Sequence, residues 1–424
     1  MKPLRIPPIQ RARWIHALAV AALFGSADAG DLFGLTGGTT SGGPPVTFNE
    51  GSNNLSRFVS DLMGGTGQFD ALNNRTFVAR LRYGNVQNAL RFNIANPGQW
   101  TAQLSASQLQ PGLIERNFSA PTRAELEAQI NTYLKKDGAL DYARFLAALG
   151  QRSVVGVLDG NPNAASAMTA TGNFMEYGLR PTETSAEREQ DVAPEGRSGF
   201  GSTADVGAFR SAGTTGQTFS WTPMIPLVVG ESRRVRLELS LPLNYTQIEG
   251  ADEYRVGAQL GVAVLVVKRT KTQPWLWQVT PHAGAVVDGS ADMVAGGLLA
   301  SAGVTSYTAY RANQWEFSMG NHVSFHEGMK VSVGDYTFDP QVSQQIVKNG
   351  LKVGRSLGQR WYAEAYVVDT EFLQAAYTPR YTTVGLGVGY RAANRKGYLM
   401  LGTYADIASH YESAHFQFGT GWKF

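Results

Sequence analysis

From residue 217 to residue 424 the chain alternates between apolar and polar positions in almost every segment. Val235, Leu237, Leu239, Leu241, Leu243 and Tyr245 share one parity, against Arg234, Arg236, Glu238, Ser240 and Asn244 on the other. Tyr254, Val256, Ala258, Leu260, Val262, Val264 and Val266 repeat the pattern opposite Arg255, Gly257, Gln259 and Gly261. Trp315, Phe317, Met319, Val323 and Phe325 oppose Glu316, Ser318, His322, Ser324 and His326. Tyr381, Val384, Leu386, Val388 and Tyr390 follow with one break in phase, opposite Gly385, Gly387, Gly389 and Arg391. A period of two is that of a β-strand with two unlike faces. Charges recurring along an inner face would each need a buried partner in a soluble sandwich core. In a barrel that crosses a membrane they face a polar lumen, with the apolar parity against lipid. A soluble β-sandwich shares the period, and alternation alone does not separate the two.

The spans that alternate are 218–229, 233–247, 253–268, 274–288, 293–311, 312–326, 329–338, 350–357, 359–372, 380–392, 396–408 and 411–424. They predict an antiparallel transmembrane β-barrel of twelve strands, or of ten if 329–357 is not wall. An even count places both barrel ends on the periplasmic side. Asp339-Pro340 predicts a helix through Ser343, Ile346 and Val347, ending at Asn349-Gly350. Trp275, Trp277, Tyr307, Tyr310, Trp361, Tyr362, Tyr398 and Tyr404 stand at strand ends, where interfacial aromatic girdles belong.

Upstream the pattern changes. Residues 48–179 read as a small α+β domain. Phe77 to Tyr83, Leu90 to Ile94 and Trp100 to Leu104 alternate as short strands, separated by Gly84-Asn85 and Asn96-Pro97-Gly98 as turns. Thr122-Arg-Ala-Glu125 is a capping box opening a helix with Leu126, Ile130, Tyr133 and Leu134 as its apolar stripe. A second helix covers roughly Leu140 to Leu149, with Tyr142, Phe145, Leu146 and Leu149 inward. Val154 to Leu158 predicts a short strand, Asp159 to Asn163 a turn, and Ala164 to Thr171 a small-residue helix. Residues 30–47, rich in Gly, Thr and Pro, predict a flexible terminus, and the polar, glycine-rich 180–216 a linker. The fold class is therefore mainly β, a C-terminal barrel over 217–424 behind a small α+β domain.

The first residues alter the reading of charge. Lys2, Arg5, Arg11 and Arg13 precede an apolar run from Trp14 to Phe24, and Ala27-Asp28-Ala29 forms a cleavage site. That is the plan of a secretory signal peptide over 1–29. Its removal takes four cations and Asp28, so the formal charge falls from +3 to zero and gives no ground for nucleic-acid binding. Cysteine is absent, which excludes disulfides and thiolate metal sites. A mean hydropathy of −0.19 suits strands and argues against a helical membrane protein.

Candidate chemistry is sparse. His322-Val-Ser324-Phe-His326 places a His-x-Ser pair on one strand, where an imidazole can activate a hydroxyl. Both residues fall on the lumen parity with Glu316, and lumen hydrogen bonding is the plainer role. A four-residue offset on a strand is about 13 Å, too far for His322 and His326 to share one ion. Gly385, Gly387 and Gly389 fit close packing against lumen contents or a bend in the wall. No metal, cofactor or catalytic set is assigned.

The last residues carry the one specific motif. Phe416, Phe418, Trp422 and Phe424 share a face with Thr420, and Gln417, Gly419, Gly421 and Lys423 take the other. The order polar–x–Gly–x–x–apolar–x–aromatic over Gln417 to Phe424 resembles the assembly signal of bacterial outer-membrane β-barrels. The resemblance implies an outer-membrane location, lipid and the secretion machinery as partners, and Gln417, Gly419, Trp422 and Phe424 read by the barrel-assembly machinery. His-x-Ser also resembles the catalytic pair of outer-membrane lipid hydrolases. The order of signal, domain, linker and barrel resembles that of autotransporters. Three roles follow: a structural or transport barrel with its N-terminal domain in the periplasm or lumen, an autotransporter-like presenter of that domain, or a lipid hydrolase. The partner of the N-terminal domain is not legible.

Overall fold

The computed structural model describes residues 31–153 and 198–423, apart from positions 42, 97, 134–136, 212, 271, 294, 334–335, 339–341 and 393–396. The predicted signal peptide, the elements expected over 154–171 and Phe424 lie outside the described residues.

The N-terminal part is an antiparallel sheet of six strands in the order β2-β1-β3-β4-β5-β6. These are β1 Phe33–Ser41, β2 Thr47–Ser52, β3 Thr76–Tyr83, β4 Val86–Ala95, β5 Trp100–Ser105 and β6 Glu115–Ala120. The terminus expected to be flexible is thus a sheet strand, with β1 paired to both β2 and β3. Its glycines serve close approach: a Cβ on Gly37 would stand 2.1 Å from the Val78 carbonyl and 2.7 Å from the Phe48 ring. Helices Leu55–Gly64, Arg123–Thr132 and Ala139–Gly150 accompany this sheet. Its inward face (Leu35, Phe77, Leu81, Phe92, Leu104) packs in one buried cluster with Phe58, Leu126, Ile130 and Phe145 of the helices. The capping box forms as half a box, with Thr122 Oγ1 accepting from the Glu125 N–H at 3.2 Å. Helix Leu55–Gly64 lacks a counterpart in the sequence reading; Asn54 caps its start and Gly65, at φ +61°, its end.

Arg116 of β6 reaches helix Ala139–Gly150, donating from Nε and Nη2 to Asp141 Oδ2 at 3.0 and 2.7 Å, and Tyr133 OH donates to the same oxygen at 2.8 Å. Burial alone would raise the Asp141 carboxyl; the Arg116 and Tyr133 hydrogen bonds outweigh it and hold it below the ordinary carboxylate range. Burial and the bond to Asp141 push the Tyr133 phenol up to about 12. A carboxyl that titrates lower in the folded than in the unfolded chain stabilises the fold above its unfolded pKa and loses that contribution as pH falls through the depressed value. Thermal unfolding of the domain should therefore drop less between about pH 6 and pH 2 in Asp141→Asn than in the parent. Because Arg116 is exposed, the difference should be small and should shrink in salt.

The barrel wall runs β7 Gly199–Ser211, β8 Thr214–Val229, β9 Val235–Ser240 with β10 Leu243–Ile248, β11 Ala251–Val267, β12 Trp275–Ser290, β13 Ala295–Ala312 and β14 Trp315–Met329. It continues through β17 Ser343–Ser356, β18 Trp361–Phe372, β19 Arg380–Arg391, β20 Gly397–Ile407 and β21 Tyr411–Lys423. Between β14 and β17 the short strands β15 Val331–Val333 and β16 Tyr336–Phe338 pair only with each other. β9 and β10 are halves of one strand, both flanked by β8 and β11 and interrupted at Leu241-Pro242. Twelve strands result, and β21 pairs with β7 to close the cylinder.

Three expectations change here. The first wall strand is β7, inside the stretch expected to be linker, so the barrel begins at 199 and not at 217. Residues 329–338 are not wall but hold the β15–β16 hairpin. The helix expected from Asp339-Pro340 is replaced by β17, which starts at Ser343. The aromatic girdle is also thinner than expected. Trp275, Trp277 and Trp361 are exposed on the outside, whereas Tyr307 and Tyr362 are buried inside. Trp361 and Tyr362 are neighbours on a strand and cannot both face lipid.

Across most of the wall the two parities separate. Val206, Phe219, Leu237, Val256, Leu260, Phe317, Phe325, Leu351, Leu386 and Phe416 are exposed outside. Glu253, Gln259, Glu316, His322, Lys352 and Glu364 are buried inside. An apolar band around a closed set of paired strands is the β solution to spanning hydrocarbon. Among the described residues no helix is long and apolar enough to cross a membrane.

Candidate functional site

Inside the barrel, charges come in pairs. Arg269 Nη1 lies 2.7 Å from Glu316 Oε2, Arg255 Nη1 3.1 Å from Glu253 Oε1, and Lys352 Nζ 3.5 Å from Glu364 Oε2. Arg236 and Glu238 pair on the same strand. These groups are shut off from solvent, with Gln259 2 %, Glu316 3 % and Lys352 1 % exposed. A water-filled pore would leave such side chains wet. Here the lumen-facing charges are buried against their neighbours.

Histidines lie on β12 and β14, the two neighbours of β13. His282 on β12 and His322 on β14 stack at 5.1 Å with an interplanar angle of 14°. His322 Nδ1 is 2.8 Å from Thr305 Oγ1 of β13, and Ser324 Oγ is 2.8 Å from His326 Nε2. The His-x-Ser pair singled out from sequence is therefore not the pair that forms: His322 engages Thr305, and Ser324 engages the histidine two residues later. Among the described residues no cluster of three or more His, Asp or Glu has the geometry for a metal ion.

A second cluster, missed in the sequence, closes the seam. Asp205 stands on β7 and His415 on β21, with His415 Nδ1 2.9 Å from Asp205 Oδ1. His415 Nε2 is 3.0 Å from Ser413 Oγ, and Ser413 donates to Asp406 Oδ2 at 2.7 Å. Thr383 donates to the other Asp406 oxygen. Ser413, His415 and Asp205 thus lie in the order of a nucleophilic triad, where the serine proton passes to the imidazole. In this arrangement the hydroxyl proton is spent on Asp406. The neighbouring wall N–H groups that could stabilise an oxyanion are taken up by strand pairing on both sides. The cluster joins first, last and penultimate strands, and that is its chemistry. Gly207 makes the join possible, because a Cβ there would sit 2.1 Å from His415 Nδ1. The same device recurs where Tyr366 and Tyr362 lie over Gly385 and Gly389, the close packing expected of those glycines.

One rim of the barrel is capped. The turns after β7, β10, β12, β18 and β20 lie at the end opposite Gly199 and Lys423. From this rim Phe209, Ile248, Ala251, Met293, Ala295 and Tyr411 enter the same buried apolar cluster as the N-terminal core. Asn54 Nδ2 donates to Asp292 Oδ1 at 2.8 Å while its Oδ1 caps helix Leu55–Gly64. The Leu55 N–H donates to the Asp292 carbonyl at 2.7 Å, and Tyr83 OH to the Met293 carbonyl at 3.5 Å. A single turn therefore fixes both the start of a helix and the seat of the domain.

Of the motif residues, Gln417 faces the lumen and is buried, Trp422 faces lipid, and Gly419 pairs with Met400 and Thr203 in the last strand.

No family model and no curated protein matches the chain. Among solved structures, the β domain of the Bordetella autotransporter Brka is 12 % identical with a TM-score of 0.40, covering 54 % of this chain and 100 % of its own. The translocator domain of the autotransporter NalP from Neisseria meningitidis is 11 % identical at 0.40, covering 55 % and 90 %. The toluene transporter TodX from Pseudomonas putida is 9 % identical at 0.33, covering 58 % and 93 %. A closed wall with an apolar exterior and a paired polar interior makes the C-terminal part a β-barrel of the kind that spans a membrane, joined to a small N-terminal α+β domain.

Proposed function

We propose that the barrel serves as an autotransporter-like anchor that holds its N-terminal domain at the outer face of the membrane. One observation carries this: the domain is seated on the rim opposite the two ends of the barrel. Even-stranded barrels keep both ends in the periplasm, so the opposite rim is the outer one. In this reading residues 1–29 address the chain to the secretion machinery, and Gln417, Gly419, Trp422 and Phe424 hand the barrel to its assembly machinery. The shielded lumen groups speak against an open solute channel.

The absence of cysteine makes a clean test possible. Gln108→Cys, exposed on the domain, should react with a membrane-impermeant maleimide on intact cells. Ser232→Cys, in the turn between β8 and β9, should react only after the outer membrane is permeabilised. The reverse order of labelling would place the domain in the periplasm and end the proposal.

A further inference from the structure

The N-terminal sheet has one face packed and one face bare, and the bare face is unusual in its charge. On β3 and β4, Arg80 and Arg91 occupy directly opposed positions. Both are exposed. Thr36 flanks Arg80 on β1, and Ser105 flanks Arg91 on β5, so neither cross-strand neighbour supplies a carboxylate. Glu115 comes one strand further on, opposite Ser105. Like charges set directly opposite each other on a sheet lower its stability, and such a cost is offset when an anion bridges them.

Beside this pair lies a groove of about 390 Å³ whose lining includes Arg80, Arg82, Asp31, Glu50, Asn49 and Asn88. Arg82 is held rigidly along it, donating from Nη1 to the Gly84 carbonyl at 2.8 Å and from Nη2 to the Asp31 carbonyl at 2.9 Å. Gly34 leaves the room: a Cβ there would meet Arg82 Nε at 2.9 Å. The groove therefore combines arginine donors with the Asp31 carboxylate and amide side chains. Arginines bind carboxylate or phosphate through a planar fork. Carboxylates and amides accept from and donate to hydroxyls. We infer that this face binds an anionic saccharide, its acidic group over Arg80 and Arg91 and its hydroxyls against Asp31, Asn49 and Asn88. The inference holds whichever side of the membrane the domain occupies.

Purified full-length protein in detergent should be titrated with oligogalacturonate, with phosphorylated oligomannose, with neutral dextran oligomers and with polyglutamate. One or both acidic saccharides should bind, the difference between them identifying carboxylate or phosphate as the preferred group. Dextran and polyglutamate should bind at least about tenfold more weakly, lacking either the charge or the hydroxyls. Arg80→Gln with Arg91→Gln should weaken saccharide binding by about tenfold or more while unfolding at the same or a higher temperature, since the like-charge contact is gone. The inference is overturned if neither acidic saccharide binds, if dextran or polyglutamate binds equally, or if the double variant binds as the parent does.

Discussion

A chain begun at Gln217 behind its secretion signal should yield no heat-modifiable barrel, whereas a chain begun at Ser198 should yield one. The difference is a single strand. β7 pairs with β21 from Ser211↔Tyr411 to Gly199↔Lys423 and with β8 from Gly201↔Met224 to Ser211↔Thr214. Deleting it leaves the facing edges of β8 and β21 open. Each backbone group stranded in hydrocarbon costs several kcal/mol, so even a partly rescued edge exceeds the roughly 5–15 kcal/mol of net stability a folded protein commands. Eleven strands would also put one barrel end on the wrong side of the membrane. Migration of unheated and heated samples in detergent gels, with recovery from the outer-membrane fraction, measures the outcome. A heat-modifiable product from the shorter chain would refute the closure described here.

The longer chain should fold less stably than the full protein. Phe209, Ile248, Met293 and Tyr411 share a buried cluster with the core of the N-terminal domain that covers that rim, and without it part of their surface meets water.

How far this architecture can be read from sequence depends on which face of each strand speaks. β11 and β14 were legible because their outer positions are mostly bulky and apolar while their inner positions are mostly polar, charged or glycine. β7 was not: outward from Phe200 it offers Ser202, Ala204, Val206, Ala208 and Arg210, too little bulk to signal a lipid face. The structure supplies what the strand lacks, with the Trp221 indole N–H donating to Ser202 Oγ at 2.6 Å across the strand pair. β17 misled in a different way. Ile346 points inward into a small apolar cluster near the rim, and Asn349 points outward, where its amide accepts from Asn321. Inverted positions of this kind break period two, and Ser343, Ile346 and Val347 then mimic helical spacing. The predicted total of twelve agrees with the wall because the hairpin at 329–338, wrongly included, offset the strand wrongly left out.

The sites divide along the same line. His322 and Ser324 drew notice as neighbours on one strand, yet their partners lie elsewhere. Asp205 and His415 are 210 residues apart, and only barrel closure brings them together. Ser413-Ala-His415 repeats the Ser-x-His spacing of Ser324-Phe-His326 and was the available signal.

Arg123→Met should detach and unfold the N-terminal domain while leaving the barrel heat-modifiable. In sequence Arg123 is a spacer inside a capping box; in the fold it ties the domain together. Its Nε and Nη2 donate to the Met63 carbonyl at 2.9 and 2.8 Å, Nη2 also to Leu62, and Nη1 to Leu72 and Arg75 at 3.0 and 3.2 Å. Leu62 and Met63 belong to the last turn of helix Leu55–Gly64, whose carbonyls have no partner within the helix and favour a cation. The guanidinium also lies 5.5 Å from the ring centroids of Phe77 and Trp100. Burial pulls its pKa down and Glu127 opposes the fall, yet an arginine remains protonated and can keep all five donors engaged. Methionine fills much of the space and leaves four carbonyls without their donor. Stranding buried partners in this way costs about 3–5 kcal/mol, a large part of the roughly 5–15 kcal/mol that holds a domain folded. Arg123→Lys should fall between, since one ammonium on a flexible stem cannot span both segments. Because helix Leu55–Gly64 starts at the Asn54–Asp292 contact, its loss also frees the domain from the rim. Limited trypsin digestion of the detergent-solubilised protein would separate the cases. The expected result is rapid loss of residues before 198 with an intact barrel core, and digestion at the parental rate would show that Arg123 does not hold the domain together.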